Sequence, residues 1–305
     1  MKINSFTKKS LLASIFVTIL VASCKKDNNN SNSTPPPPVQ NNDSAAAAMA
    51  TQKAMADNAY DDVLQVALES GSDNKILSII SMAKNGQVQT NSTHSAVEVN
   101  GLLTCASYTV SPADTTTFPK TLTVDFGSGC TSADGITRKG KVTFVLSGKM
   151  LMPGTTVSAT FTGYSVNSYQ LQGTYSFTNI SAVSGIAYTT KITDGKITFP
   201  DATFYNYTGS KTIKMTAGWL TPTILTDDVY SIGGSGSFST SAGTSIVDSI
   251  TTLLSKSYSC PFISSGIISF TYDNTLNGTL DFGSGVCDST VTIKVGQISK
   301  NFVLP

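Results

Sequence analysis

Leu122-Thr123-Val124-Asp125-Phe126-Gly127-Ser128-Gly129-Cys130 is the stretch on which the fold turns. Leu122, Val124 and Phe126 alternate with polar residues, the period of a strand with one buried face. The chain then enters Gly-Ser-Gly, where glycine permits the positive φ of a tight turn. The pattern returns near the C-terminus as Thr279-Leu280-Asp281-Phe282-Gly283-Ser284-Gly285-Val286-Cys287, with one residue inserted before the cysteine. The likeness continues from Asp134 to Leu146 and from Asp288 to Leu304, around Gly140 and Gly296, the second copy being a few residues longer. Each copy has a cysteine upstream, Cys105 lying 25 positions before Cys130 and Cys260 lying 27 before Cys287. The simplest reading is a duplicated module of strand, turn, staple and strand at 105–148 and 260–304, bridged Cys105–Cys130 and Cys260–Cys287. One bridge between the modules is the alternative.

Between the modules, runs rich in Thr, Ser, Val, Ile and Tyr at 141–146, 157–164, 170–177, 196–207, 211–219 and 266–272 are broken by Gly, Asn and Asp at short intervals. Only 246–254 hints at a helical period, and Gly233-Gly234-Ser235-Gly236 reads as a flexible turn. No strand–helix–strand alternation occurs, which argues against Rossmann and TIM architectures. The expected fold of 101–305 is therefore mainly β: an antiparallel meander forming a curved sheet, a sandwich or a half-open barrel, with a closed barrel as runner-up. Ahead of it, 45–85 is a helical segment. Met55, Ala59, Val63, Val66 and Ala67 fall near helical spacing, and Ile76, Ile79, Ile80 and Ala83 repeat at i, i+3, i+4, i+7. One or two N-terminal amphipathic helices are expected to pack on an open face or end of the sheet, and 86–100 is a linker.

Residues 1–23 have the parts of a secretory signal: Lys2, Lys8 and Lys9, then an apolar run over 11–22 too short to cross a bilayer. Leu20-Val21-Ala22-Ser23-Cys24 resembles the lipobox of bacterial lipoproteins, which implies cleavage before Cys24 and acyl chains on it, hence a membrane as partner. Residues 24–44 contain no large apolar side chain except Val39 and read as a solvated tether. Lys25-Lys26-Asp27 resembles the charged signals of outer-membrane lipoproteins, which implies an outer-membrane location on the periplasmic or cell-surface face. With Cys24 set aside, an even set of four cysteines remains, as suits an oxidising compartment.

Without its signal the chain carries 17 basic and 19 acidic residues, and no basic run offers a footprint for nucleic acid. From Gly101 onward there is no His and no Glu, which removes the usual general bases, most zinc ligands and the Ser-His-Asp triad. The single His94 lies in the linker. Asp227-Asp228 is the only adjacent pair among eleven aspartates after Gly101, and a turn pair of this kind is mostly solvated. The Asp-Phe-Gly triplets lack every companion motif of a kinase, and Ser72-Asp73-Asn74-Lys75 lacks the Lys-Thr-Gly of penicillin-binding enzymes. No catalytic residue, metal or cofactor is expected. The candidate ligand-binding residues are aromatic: Tyr205 and Tyr207, which share a strand face, and Trp219, the only tryptophan.

Asp-Phe-Gly-x-Gly-Cys after an upstream cysteine, the strand Lys139-Gly140-Lys141-Val142 and a second Cys287-Asp288 module together resemble a group of uncharacterised Gram-negative outer-membrane lipoproteins over residues 100–305. The resemblance implies fold and location but no activity. The functional expectation is a lipid-anchored envelope protein that binds a glycan, an envelope polymer or another protein without catalysis. The alternatives are a structural or assembly lipoprotein, or a carrier of hydrophobic ligands with a half-barrel groove.

Overall fold

The computed structural model describes residues 41–71, 105–132, 134–183, 185–218, 220 and 225–304. Cys24, His94, Trp219, the signal, most of the tether and the second expected helix lie outside them.

One helix, α1 (Asn41–Ser70), precedes the sheet. Its alanine-rich sequence has the highest helix propensity, Asp43 in the first turn suits the positive end of the dipole, and the helix stops at Ser70-Gly71. The strands then follow as β1 (Ser107–Ser111), β2 (Lys120–Asp125), β3 (Cys130–Thr131), β4 (Thr137–Leu146), β5 (Thr156–Val166), β6 (Tyr169–Asn179) and β7 (Ala187–Thr198). Next come β8 (Phe204–Ala217), β9 (Val229–Ser239), β10 (Ser245–Ser257), β11 (Ser265–Tyr272), β12 (Leu276–Ser284), β13 (Thr290–Val295) and β14 (Ile298–Val303). They form one antiparallel meander in which each strand pairs with the next, except that β2 pairs with β4 and the short β3 adds to β4 beyond it. The sheet is open, with β1 and β14 at its free edges.

Alternating residues along the strands are buried, as in β4, where Arg138, Val142, Phe144 and Leu146 point inward. Twelve strand spacings of about 4.8 Å make a sheet roughly 58 Å wide, whereas a helix is only about 10–12 Å across. A flat sheet of that width would leave most of its inner face to water. The sheet instead curves around α1. Tyr60, Asp62, Val63, Leu64, Val66 and Ala67 are all buried, and because successive helical residues point about 100° apart, their cover must come from several sides. The helix packs on the sheet as expected, on its inner face, and its side chains bond to β4, β5, β6, β7, β8, β10 and the β13–β14 turn.

Curvature comes from a line of bulges crossing β4 to β8, where register shifts fall around Gly140, Gly163, Gly173 and Gly195. Gly140 shows why this line needs glycine. Its φ is +75°, and a Cβ there would strike the backbone carbonyl of Gly163 on the next strand.

Both modules are present. In each, a strand after the upstream cysteine (β1, β11) pairs with the Asp-Phe-Gly strand (β2, β12), and the bridges are Cys105–Cys130 and Cys260–Cys287. Asp125 and Asp281 each accept a hydrogen bond from the glycine two residues on, closing equivalent turns. The equivalence ends soon after. Gly140 is a bulge inside β4, but Gly296 is the turn between β13 and β14, so the expected alignment of these two glycines does not hold.

Three local readings also change. Residues 246–254 are strand, within β10; Gly233-Gly234-Ser235-Gly236 lies inside β9; and the expected strand 196–207 is split by a turn at 199–203. In the first two cases pairing to neighbouring strands on both sides overrides the local signal; in the third the chain folds back at 199–203 so that β7 and β8 pair with each other.

Candidate functional site

The inner face of the sheet is committed to the helix. Lys53 and Asp57 form an i, i+4 pair at 2.8 Å, Lys53 also lies 3.1 Å from Asp248 on β10, and Lys211 on β8 lies 2.8 Å from Asp61. Burial pulls both ammonium groups down, but Asp57 with Asp248 around Lys53, and Asp57 with Asp61 around Lys211, outweigh it and hold both above their ordinary values. Burial pushes Asp57 up, but Lys211 and Lys53 outweigh it and hold its carboxyl at about 2. In Asp248 burial prevails over Lys53 and the carboxyl is raised. Room for this group comes from Gly236, where a Cβ would stand 3.1 Å from Asp248 Oδ1 and 3.4 Å from the Tyr207 ring.

Farther along the helix, Arg138, the chain's only arginine, is fully buried. Its Nε donates to Asp62 Oδ2 at 2.9 Å, its Nη2 donates to Asp62 Oδ1 and, at 2.9 Å, to Asp134, and its Nη1 donates to Ser132 at 3.2 Å. Glu69 faces the same group, and burial pushes its carboxyl up to about 8 against the pull of Arg138. The Tyr60 hydroxyl lies 2.8 Å from the carbonyl of Gln172 and 3.2 Å from that of Lys196, beside the β6–β7 bulge.

Tyr205 and Tyr207 belong to this inner face. Tyr207 is 2% exposed and donates its hydroxyl to Asp57; Tyr205 donates to Gln52 and stacks on Phe238 with ring centroids 4.4 Å apart. Tyr207 is thus closed to an outside ligand, which corrects the pairing of the two rings as one exposed stacking surface, while Tyr205 is half-buried. They do share a strand face, but it is the core face. Trp219 lies outside the described residues.

The outer face carries a different pattern. Lys191 on β7 pairs with Ser210, Ser210 with Ser235, Ser235 with Ser249, Ser249 with Ser269, Ser269 with Thr279, and Thr279 with Lys294. Seven adjacent strands thus place five consecutive hydroxyl side chains in one line between two lysines, over about 29 Å. These residues alternate with inward-pointing Ile192, Ile232, Ile268, Leu280 and Ile293, so all seven face out. The line runs along the floor of two joined hollows. The larger holds about 700 Å³, and Ser235, Ser249, Ser269, Thr279 and Lys294 line it together with Val247, Asp248 and Phe270; the smaller shares Ser235 and Val247 with it and continues past Ser210 to Lys191.

The trough offers hydroxyl donors and acceptors at the interstrand interval, with a cation at either end and Asp248 in the wall of the larger hollow. Among the described residues no group of three or more His, Cys, Asp or Glu stands together to hold a metal ion, and no helix is long and apolar enough to cross a membrane. The buried charges had one visible signal in the sequence, the i, i+4, i+8 spacing of Lys53, Asp57 and Asp61. The hydroxyl line had none, because it joins residues from separate strands whose registers are offset by bulges. No known protein family, curated protein or solved structure matches the chain.

Proposed function

We propose that the protein is a lipid-anchored envelope protein, held to the outer membrane through Cys24, that binds a glycan strand along the outer trough without catalysing a reaction on it. The observation that carries this reading is the line Lys191–Ser210–Ser235–Ser249–Ser269–Thr279–Lys294. A linear polyhydroxylated polymer laid across the strands meets a new hydroxyl at each strand, and the terminal lysines suit acidic groups on it. A single hydroxyl contact contributes only about 0.5–1.5 kcal/mol net, so affinity comes from repetition along the polymer. The inner face, which a carrier of hydrophobic ligands would need, is occupied by α1, and this favours the polymer reading over the carrier.

The test uses purified peptidoglycan sacculi and soluble envelope polysaccharide. The protein should co-sediment with one of them, and Ser235→Leu with Ser249→Leu, both exposed, should abolish this while leaving the circular dichroism spectrum and Tm unchanged. If neither polymer is bound, or the double variant binds as before, the trough is not the site. Cys24→Ser should leave a chain without incorporated labelled fatty acid; retained label would refute the anchor.

A further inference from the structure

The hydroxyl line has a companion. Two residues along each strand, and so about 7 Å away on the same face, Thr208 pairs with Ser237, Ser237 with Val247, Val247 with Thr271 and Thr271 with Asn277. All five line the hollows, so the floor of the trough is two lines wide. Hydroxyl and amide groups make up the second line except at its centre, where Val247 stands 51% exposed and lines both hollows. Among the described residues no other exposed large apolar side chain lines either hollow. Beside Val247 the hydrogen bonding is polarised. Thr271 donates its hydroxyl to Asn277 Oδ1 at 2.9 Å, so its own hydrogen is committed and Thr271 Oγ1 faces the trough as an acceptor. Ser237, on the other side of Val247, is free to donate. Asp248 in the same wall turns its carboxylate inward, 3.1 Å from Lys53.

We infer that Ser237, Val247 and Thr271 form a subsite for an acetamido group, so that the polymer in the trough is one of N-acetylated amino sugars. The inference rests on the proposed trough and names the chemistry of its ligand. In a trans amide the N–H and the C=O point in opposite directions. Laid over Val247, the group donates its N–H to Thr271 Oγ1, accepts at its carbonyl oxygen from the Ser237 hydroxyl, and sets its methyl on the valine. The spacing suits this. Ser237 and Thr271 stand two strand intervals apart, about 9.6 Å between backbones, and an amide with a hydrogen bond at each side spans roughly 8 Å. A hydroxyl at the same ring carbon is too short to cover Val247. A free amine there would bring a positive charge into a trough that ends on Lys191 and Lys294.

The full chain is titrated with two hexasaccharides that share a β-1,4-linked glucose backbone. One bears an acetamido group on every ring, and the other, cellohexaose, bears a hydroxyl in its place. Two hydrogen bonds and a methyl contact together contribute about tenfold or more, so the acetylated chain should bind at least that much more tightly. Saturation-transfer NMR should give its methyl protons the strongest signal. Val247→Thr keeps the β-branched shape and the strand preference, and should cut the ratio of the two affinities about fourfold while cellohexaose binds as before. Equal affinity for the two hexasaccharides, or the same ratio in Val247→Thr, overturns the subsite and leaves the trough standing. If neither hexasaccharide binds, the subsite is overturned, and sedimentation with sacculi and polysaccharide decides the trough separately. Binding of the acetylated chain that survives Ser235→Leu with Ser249→Leu would place acetamido recognition elsewhere and overturn both.

Discussion

Arg138 on β4 and Asp62 on α1, 76 positions apart, meet inside the sheet in a two-point contact, Nε donating to Oδ2 and Nη2 to Oδ1. The guanidinium is wholly buried and the carboxylate nearly so. Removing one partner of such a pair leaves an uncompensated charge in the core, at a cost of about 3–5 kcal/mol. Arg138→Met or Asp62→Leu alone should therefore lower the urea midpoint sharply, and the double variant should recover most of the loss. Equal loss in single and double variants would mean that packing, not charge, is what the pair supplies.

Glu69 gives the same region a pH dependence. Its folded carboxyl is raised to about 8 by burial, against an ordinary value of 4.5. The folded state then holds a proton that the unfolded state releases, so this contribution is complete below about 4.5 and is lost as the pH rises through about 8. Tm should fall between these limits in the native chain and flatten in Glu69→Gln. A native profile that rises with pH across that window would contradict the assignment.

Asp57 acts in the opposite direction. Held at about 2 by Lys211 and Lys53 against an ordinary 3.8, it supports the fold above 3.8 and is lost as the pH falls through about 2. Lys211→Met removes one of the two attractions, so acid unfolding followed by circular dichroism should move to higher pH. An unchanged acid midpoint would show that Lys53 alone holds the carboxylate.

The two staples close loops of 25 and 27 positions. Each should contribute about 3.5 kcal/mol in the chain-entropy account. Replacing either pair with Ala should lower stability by about that amount, and non-reducing peptide maps should contain both pairs, with no Cys105–Cys260 or Cys130–Cys287 peptide.

Gly140 tests the curl of the sheet. At φ +75°, facing a backbone carbonyl, a methyl group can be relieved only by moving β4 or β5. Gly140→Ala should cost about 2 kcal/mol or more, well above an exposed Gly→Ala change at a turn such as Gly154.

Much of the fold was legible because its signals are local. Alternation in Leu122, Val124 and Phe126 marks a strand whatever it pairs with, and all three are buried. The repeated Asp-Phe-Gly turn with its upstream cysteine pointed to the bridges that form. The aromatic candidates show where locality stops. Tyr205 and Tyr207 have the right period for one face, but period alone does not say which face meets water.

From the residues alone, then, came an antiparallel meander, its two stapled modules and a helix ahead of it, because a two-residue period, glycine turns and cysteine spacing act over short distances. The helix inside the sheet was decided only in three dimensions: its alanine-rich surface with Lys53, Asp57 and Asp62 reads as half-solvated until strands from several directions supply the opposite charges. The hydroxyl line from Lys191 to Lys294 likewise exists only after seven strands have taken their registers. A strand dictates which of its residues share a face, but bulges and neighbours dictate which residues of different strands stand side by side.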